Sequence, residues 1–245
     1  MKAMIFAAGL GTRLKPLTDS IPKAMVPIAG KPMLQHVIEK LKAAGFNEIV
    51  INIHHLGEQI IDFITSNNSF DIRIEFSNEE EQLLDTGGGI KKAASFFNDG
   101  KPFLIHNVDI ISNIDLKQLY DSHLKENNPA TLVCSSRDTS RYLLFDNNRC
   151  LKGWINKKTG EVKSPSTNFN PNEYNQLAFS GIHVINPSVF DLMDPFPDKF
   201  SIIDFYLSIC SHNNIVSYSP ENIQIIDIGK HESLLLAEDI LKTDS

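Results

Sequence analysis

The sequence predicts an α/β fold built on a mostly parallel sheet flanked by helices, with an antiparallel β extension in its second half. Three observations carry this. A continuous apolar run at 3–8 ends in Gly9, as a strand buried on both faces would. Strand-like and helix-like stretches then alternate to about residue 107, the pattern of parallel strands joined by right-handed crossovers. From about residue 130, short strand-like runs follow one another without long helices between them.

After the first run, a polar segment rich in Pro and Gly covers 9–32. Met33, Leu34, Val37, Ile38, Leu41 and Ala44 then recur at helical spacing and stop at Gly45, a C-terminal cap. Residues 48–53 read as the next strand, 57–65 as a helix with Ile60, Ile61 and Ile64 on one face, and Ile72, Ile74 and Phe76 alternate as a third strand. A glycine turn at 86–89 precedes a short helix at 90–97, and 102–107 is another buried strand. Strand-like runs lie at 130–135, 142–145, 150–156 and 177–185, while 157–176, rich in Lys, Ser, Asn and Pro, reads as a mobile loop. Helical patterns return at 201–212 and 231–242 around a strand at 222–228. Ligands of parallel sheets gather beyond the carboxyl ends of the strands, so Gly9 and Asn107–Asp109 are candidates to line one site.

Composition narrows the chemistry. With 245 residues, 42% hydrophobic and 22% charged, the chain is an ordinary globular protein with a substantial core. Net charge is −7 and no dense Lys/Arg block appears, which argues against nucleic acid as a partner and leaves a small anionic substrate open. Cys134, Cys150 and Cys210 lack any CxxC spacing, so they read as reduced thiols in a cytoplasmic protein. The N-terminal apolar run is too short for a membrane span, and no cleavable signal pattern follows it.

The sharpest signal is Gly9-Leu10-Gly11-Thr12-Arg13-Leu14-Lys15-Pro16-Leu17-Thr18, continuing through Pro22-Lys23, Pro27 and Lys31-Pro32. Glycines after a buried strand let backbone N–H groups approach phosphate oxygens. Arg13 offers a planar fork and Lys23 a compact charge. The four prolines keep the segment from collapsing into a helix. A triphosphate could be cradled here. The dinucleotide pattern fails at Leu14, and the P-loop pattern fails because the segment ends Gly-Thr-Arg.

The whole string resembles the signature of the sugar-phosphate nucleotidyltransferase family. The same order continues through the glycines at 87–89, Asn107-x-Asp109, Phe179-Ser180-Gly181-Ile182-His183 and Ile226-Asp227-Ile228-Gly229, so the resemblance spans about 3–240. It implies a Rossmann-like sheet and a single domain over 1–245. Within it, 1–128 would be the nucleotide-binding half, 129–200 the sugar-binding β part, and 201–245 the completing helices and strand. It also implies no C-terminal β-helix, and a monomer or small homo-oligomer. The implied partners are a nucleoside triphosphate and a sugar 1-phosphate, with Mg²⁺ as cofactor.

Residue by residue, the resemblance places Gly9, Gly11, Thr12 and Arg13 on the triphosphate and Lys23 on the α-phosphoryl group, with Arg13 and Lys23 as the catalytic pair. Gln82 and Gly87 fall on the base, and Asn107, Ser180 and Gly181 on the sugar phosphate. Asp109 and Asp227 would hold the metal. Mg²⁺ suits that pair, because it takes one or two protein carboxylates and leaves other positions to phosphates and water. Asp227 stands among Ile225, Ile226 and Ile228, a context that predicts a charge removed from solvent beside a partner. Glu79-Glu80-Glu81 reads as a solvated face, and His54, His55, His106 and His183 as locally hydrogen-bonded residues rather than metal ligands.

The chain departs from the family's pattern in three places. Val108 stands where many relatives have glycine, Gly153-Trp154-Ile155-Asn156-Lys157-Lys158 where many carry Val-Glu-Lys-Pro, and Tyr142-Leu143 where a Tyr-Gly pair is common. Leu84 to Ile90 is most similar to the branch acting on N-acetylmuramate 1-phosphate with UTP. Guanylyltransferases for mannose or heptose 1-phosphate are close competitors.

Overall fold

Four parallel strands form the centre of the first of two units, in the order Phe103–Asn107, Lys2–Phe6, Glu48–Ile53, Arg73–Asn78. The computed structural model describes residues 1–79, 81–229 and 231–243. This first unit gathers Met1–Leu83, Phe103–Gln118 and the chain from Asn222 onward. Ala3, Met4 and Ile5 are fully buried, which is why that run alternates with nothing polar.

Helix Met33–Ala43 buries the predicted stripe of Met33, Leu34, Val37, Ile38 and Leu41. It ends as predicted at Gly45, whose φ of 87° only glycine adopts at little cost. The Phe46 amide donates to the Leu41 carbonyl at 2.9 Å and the Gly45 amide to Lys42 at 2.9 Å, closing the helix in a Schellman motif. Register then fixes the functional edge. Phe6 stands opposite both Asn52 and Asn107, so the loops after three strands leave from one level.

The second unit comprises Leu84–Pro102 and Leu119–Glu221. Its strands run in the order Glu161–Lys163, Leu151–Asn156, Arg141–Phe145, Asn175–Ile185, Ala130–Ser135, Ile215–Tyr218. All neighbours are antiparallel except the last pair, which is parallel. The antiparallel extension read from sequence is present. Ile215–Tyr218 was not foreseen, because four residues in a polar context give no period to read.

Two expectations fail here. The stretch 157–176 is not an unstructured loop. It contains the strand Glu161–Lys163 and a turn at Pro171–Glu173, and Phe169 stacks on Tyr174 at 4.6 Å. A Cβ on Gly153 would come 2.6 Å from the Phe169 ring, so that ring is seated on bare backbone. The glycines at 87–89 do not form a turn either; they lie inside the helix Asp85–Lys92. Their reason is packing. A Cβ on Gly87 would meet the Phe200 ring, and one on Gly88 would strike the Asp198 carbonyl oxygen.

Cys134 and Cys210 are buried and Cys150 partly so, all as free thiols. Among the described residues, no helix is long and apolar enough to cross a membrane.

Candidate active site

The segment after the first strand is a chain of short turns: Thr12–Leu14, Leu17–Asp19 and Lys23–Met25, followed by the two-residue ribbon of Pro27–Ile28 with Lys31–Pro32. Gly11 sits at φ 63°. A Cβ there would lie 2.8 Å from the Thr18 methyl and 3.0 Å from Lys23 Cβ, so glycine is required twice over. The Thr18 hydroxyl donates to the Gly11 carbonyl at 2.8 Å, and the Leu14 amide donates to the same oxygen at 2.8 Å. Gly9 differs. It is exposed, with nothing within 4 Å of where its Cβ would stand.

Lys23 is only 8% exposed, and its ammonium pairs with Oδ2 of Asp109. Asp109 leaves the strand Phe103–Asn107 and leads into the short strand Ile110–Ser112, which pairs antiparallel with Ile225–Asp227. In that ribbon Asp227 is opposite Ile110, and the Ile228 amide donates to the Asp109 carbonyl at 2.8 Å. Two residues on, a Cβ at Gly229 would lie 2.8–2.9 Å from the Arg13 guanidinium, which therefore rests on bare backbone. Residues 13, 23, 109 and 227–229 thus meet in the first unit, although they come from three separated stretches of sequence.

Asp227 is exposed, against the expectation from its isoleucine neighbours. The reason is the ribbon: two short strands alternate their side chains, so an aspartate among isoleucines turns outward. Val108 is 4% exposed and is not among the residues with positive φ, so the backbone there needs no glycine. Its amide donates to the Phe6 carbonyl at 3.1 Å. Asn107 is half-buried at the end of its strand.

A buried pair behind the glycine loop was missed by the sequence reading. Asn52 Oδ1 accepts from the amides of Ala7 at 2.6 Å and Ala8 at 3.3 Å, and Asn52 Nδ2 donates to Glu79 Oε1 at 2.8 Å. Glu79 is 1% exposed, so the reading of a solvated acidic face fails at its first residue. The carboxylate fixes which way the Asn52 amide faces, and the amide oxygen then holds the two residues before Gly9. The signal was an Asn inside an apolar strand, where polar burial calls for a partner.

In the second unit, Gly87 donates its amide to the Phe200 carbonyl at 2.9 Å, and the Thr86 hydroxyl accepts from the Ile202 amide at 3.0 Å. Gln82, in the first unit, is exposed. Ser180 is 1% exposed and donates to the Val133 carbonyl at 2.9 Å. Gly181 has φ 76° within a bulge, where the register jumps from Phe179–Cys134 to His183–Leu132.

Two of the four histidines read as locally hydrogen-bonded, His106 and His183, have side-chain hydrogen-bond partners in the fold. Burial holds His106 down to about 4, with its Nδ1 at 2.8 Å from the Asn107 carbonyl. Burial likewise holds His183 down to about 3, with Tyr206 at 2.8 Å from its Nδ1. Among the described residues no cluster of three or more His, Cys, Asp or Glu could hold a metal ion. Asp109 directly precedes one strand of the ribbon and Asp227 ends the other, and carboxylate oxygens are the hard donors that magnesium takes one or two at a time.

The family model described as nucleotidyl transferase matches residues 2–243. N-acetylmuramate alpha-1-phosphate uridylyltransferase from Neisseria meningitidis serogroup B is 36% identical over 193 residues, 78% of each chain. Mannose-1-phosphate guanyltransferase from Yarrowia lipolytica is 31% identical over 240 residues, 96% of this chain but 62% of that relative's length. Among solved structures, HddC from Yersinia pseudotuberculosis complexed with GMP-PN aligns with TM-score 0.76 and 26% identity, covering 98% of this chain and 99% of that one. UDP-glucose pyrophosphorylase from Acinetobacter baumanii shares the fold, with TM-score 0.77 at 18% identity over 97% of this chain and 91% of that one. The chain belongs to the nucleotidyl transferase family, as a sugar-phosphate nucleotidyltransferase.

Proposed function

We propose that the chain transfers a nucleotidyl group from a nucleoside triphosphate, UTP before GTP, to a sugar 1-phosphate and releases pyrophosphate. The observation that carries this is the buried Lys23 ammonium on Asp109, which leads into the ribbon that Asp227 ends, with Arg13 against Gly229, at the carboxyl ends of parallel strands. An oxygen of the sugar phosphate attacks the α-phosphorus. The bond from that phosphorus to the bridging oxygen breaks, and pyrophosphate leaves with the electron pair. The acceptor is already ionised at neutral pH, so the chain need supply no strong base.

What its residues supply is charge and position. Gly9, Gly11 and Thr12 offer backbone to the triphosphate, and Gly9 has the open space that a close phosphate demands. Arg13 takes the departing pyrophosphate with its planar fork. Lys23, its direction fixed by Asp109, neutralises the α-phosphoryl oxygens. Asp109 and Asp227 would hold Mg²⁺, which when bound adds positive charge at the phosphates. The resemblance gives Gln82 and Gly87 to the base, and Asn107, Ser180 and Gly181 to the sugar phosphate.

UTP is supported by the 36% identical uridylyltransferase. GTP is the second reading, supported by the guanyltransferase that matches 96% of the chain and by the HddC complex with GMP-PN. Pyrophosphate release, measured for UTP, GTP, CTP and dTTP against a panel of sugar 1-phosphates, tests the proposal. Tight nucleotide binding with no release from any pair would instead make the chain a regulatory subunit.

A further inference from the structure

Among the described residues, four buried polar atoms of the second unit have no hydrogen-bond partner, His123 Nε2 on its helix and three others, Ser135 Oγ, Arg137 Nε and Gln176 Oε1. Those three are not scattered. Ala178 stands opposite Ser135 in the antiparallel pair, Gln176 lies two residues before Ala178 on the same strand, and Arg137 follows two residues beyond the end of the strand that Ser135 closes. Side chains two apart on a strand share a face, so Gln176, Ala178 and the Ser135 opposite Ala178 fall on one side of the sheet. Arg137 then reaches back along it. Its Nη2 donates to the Phe179 carbonyl at 3.2 Å, at the start of the bulge that contains Ser180 and Gly181.

Arg137 is half-buried, and among the described residues it bonds a neutral carbonyl, with no carboxylate paired to it. Ser135 is 8% exposed. A cation sheltered from water without an anion is costly, and so is each unmatched donor or acceptor beside it. The set is one a ligand can complete. Nε of Arg137 seeks an anionic oxygen, the Ser135 hydroxyl can donate to the same group, and Gln176 Oε1 accepts from a hydroxyl or amide N–H.

We infer that Arg137, Ser135 and Gln176 form a subsite for an anionic oxygen group of the acceptor sugar phosphate, with Gln176 taking a neighbouring sugar donor. This rests on the nucleotidyltransferase reading and deepens it. The anionic oxygens could belong to the 1-phosphate or to a carboxylate on the sugar. N-acetylglucosamine 1-phosphate and N-acetylmuramate 1-phosphate differ only by the lactyl ether with its carboxylate, so together they separate the two sources.

The experiment measures KM for both acceptors and for UTP, and acceptor affinity by calorimetry, in the wild type, Arg137→Met, Arg137→Lys and Gln176→Glu. Loss of a charge-assisted hydrogen bond predicts a rise of about 10- to 100-fold in acceptor KM for Arg137→Met, with partial recovery in Arg137→Lys. The KM for UTP should stay within about twofold, since this subsite serves the acceptor alone. A larger loss with the muramate assigns the carboxylate; equal losses assign the 1-phosphate. Gln176→Glu, which sets a like charge beside the anion, should also weaken both readouts, and it stands in if Arg137→Met does not fold. Unchanged acceptor KM and affinity in these variants overturn the subsite. So does an equal rise in the KM for UTP together with a lowered unfolding temperature, the mark of a purely structural arginine. A wild type that binds acceptor but releases no pyrophosphate defeats the catalytic reading alone, because weaker acceptor binding by Arg137→Met would still uphold the subsite.

Discussion

The two units hold their candidate residues by different means. In the first, charged side chains are aimed by short loops locked in place: Gly11 against Thr18, Lys23 on Asp109, Arg13 over Gly229. In the second, polar residues are aimed by sheet register, with a bulge at Phe179–His183 setting Ser180 and Gly181, and glycines let a helix close onto Phe200 and Asp198. The contrast teaches that glycine signals two separate things. In the loop it clears room beside charged groups; in the helix Asp85–Lys92 it clears room for packing.

The largest expected effect breaks the first arrangement. Lys23→Met removes a preorganised cation, and kcat should fall about 10²- to 10³-fold while the circular dichroism spectrum is retained. Normal turnover would contradict the role given to Lys23. Next is Gly88→Ala. Its added carbon meets the Asp198 carbonyl, which is backbone and cannot swing aside, so stability should drop by about 1–3 kcal/mol in urea unfolding. The nearest atoms that Gly229→Ala meets are the far end of the Arg13 side chain. This substitution should cost less stability than Gly88→Ala, because a flexible side-chain end can give way where backbone cannot, yet raise KM for the triphosphate roughly tenfold through the displaced guanidinium. Equal stability losses in the two glycine variants would erase the contrast.

Acid sensitivity probes both units at once. His106 in the first unit and His123 in the second are held down to about 4, and His183 in the second to about 3, each chiefly by burial. A folded pKa below the ordinary 6.5 means that the unfolded chain binds the proton more readily. Stability therefore falls as pH drops from about 6.5 toward 4, and for His183 toward 3. Each residue adds a slope of at most about 1.4 kcal/mol per pH unit. Thermal unfolding between pH 7 and 4 reads it, and His183→Phe should flatten the curve; an unchanged slope would show that the residue does not contribute.

Long, strongly periodic elements and the phosphate loop were legible. The stripe Met33–Leu41 with its glycine cap could be read directly, because helix periodicity is local. Helix Leu116–Glu126 had the same signal, with Leu116, Leu119, Tyr120 and His123 at helical spacing and all buried, yet it went unread between flanking polar residues. Glu79 and Asp227 were misjudged in opposite directions. Each was weighed by its neighbours along the chain, whereas Asp227 takes its exposure from a short strand and Glu79, just past the strand Arg73–Asn78, takes its burial from Asn52.

Sequence alone determined the family, the parallel core and the residue types at the phosphate loop, because those lie in local patterns whose spacing is itself the chemistry. Only the tertiary structure decided that Arg13 rests on Gly229, that Asp109 and Asp227 share a two-stranded ribbon, and that Asn52 and Glu79 stand behind the glycine loop. Those partners are separated by dozens of residues or more, and strand pairing rather than local preference brings them together.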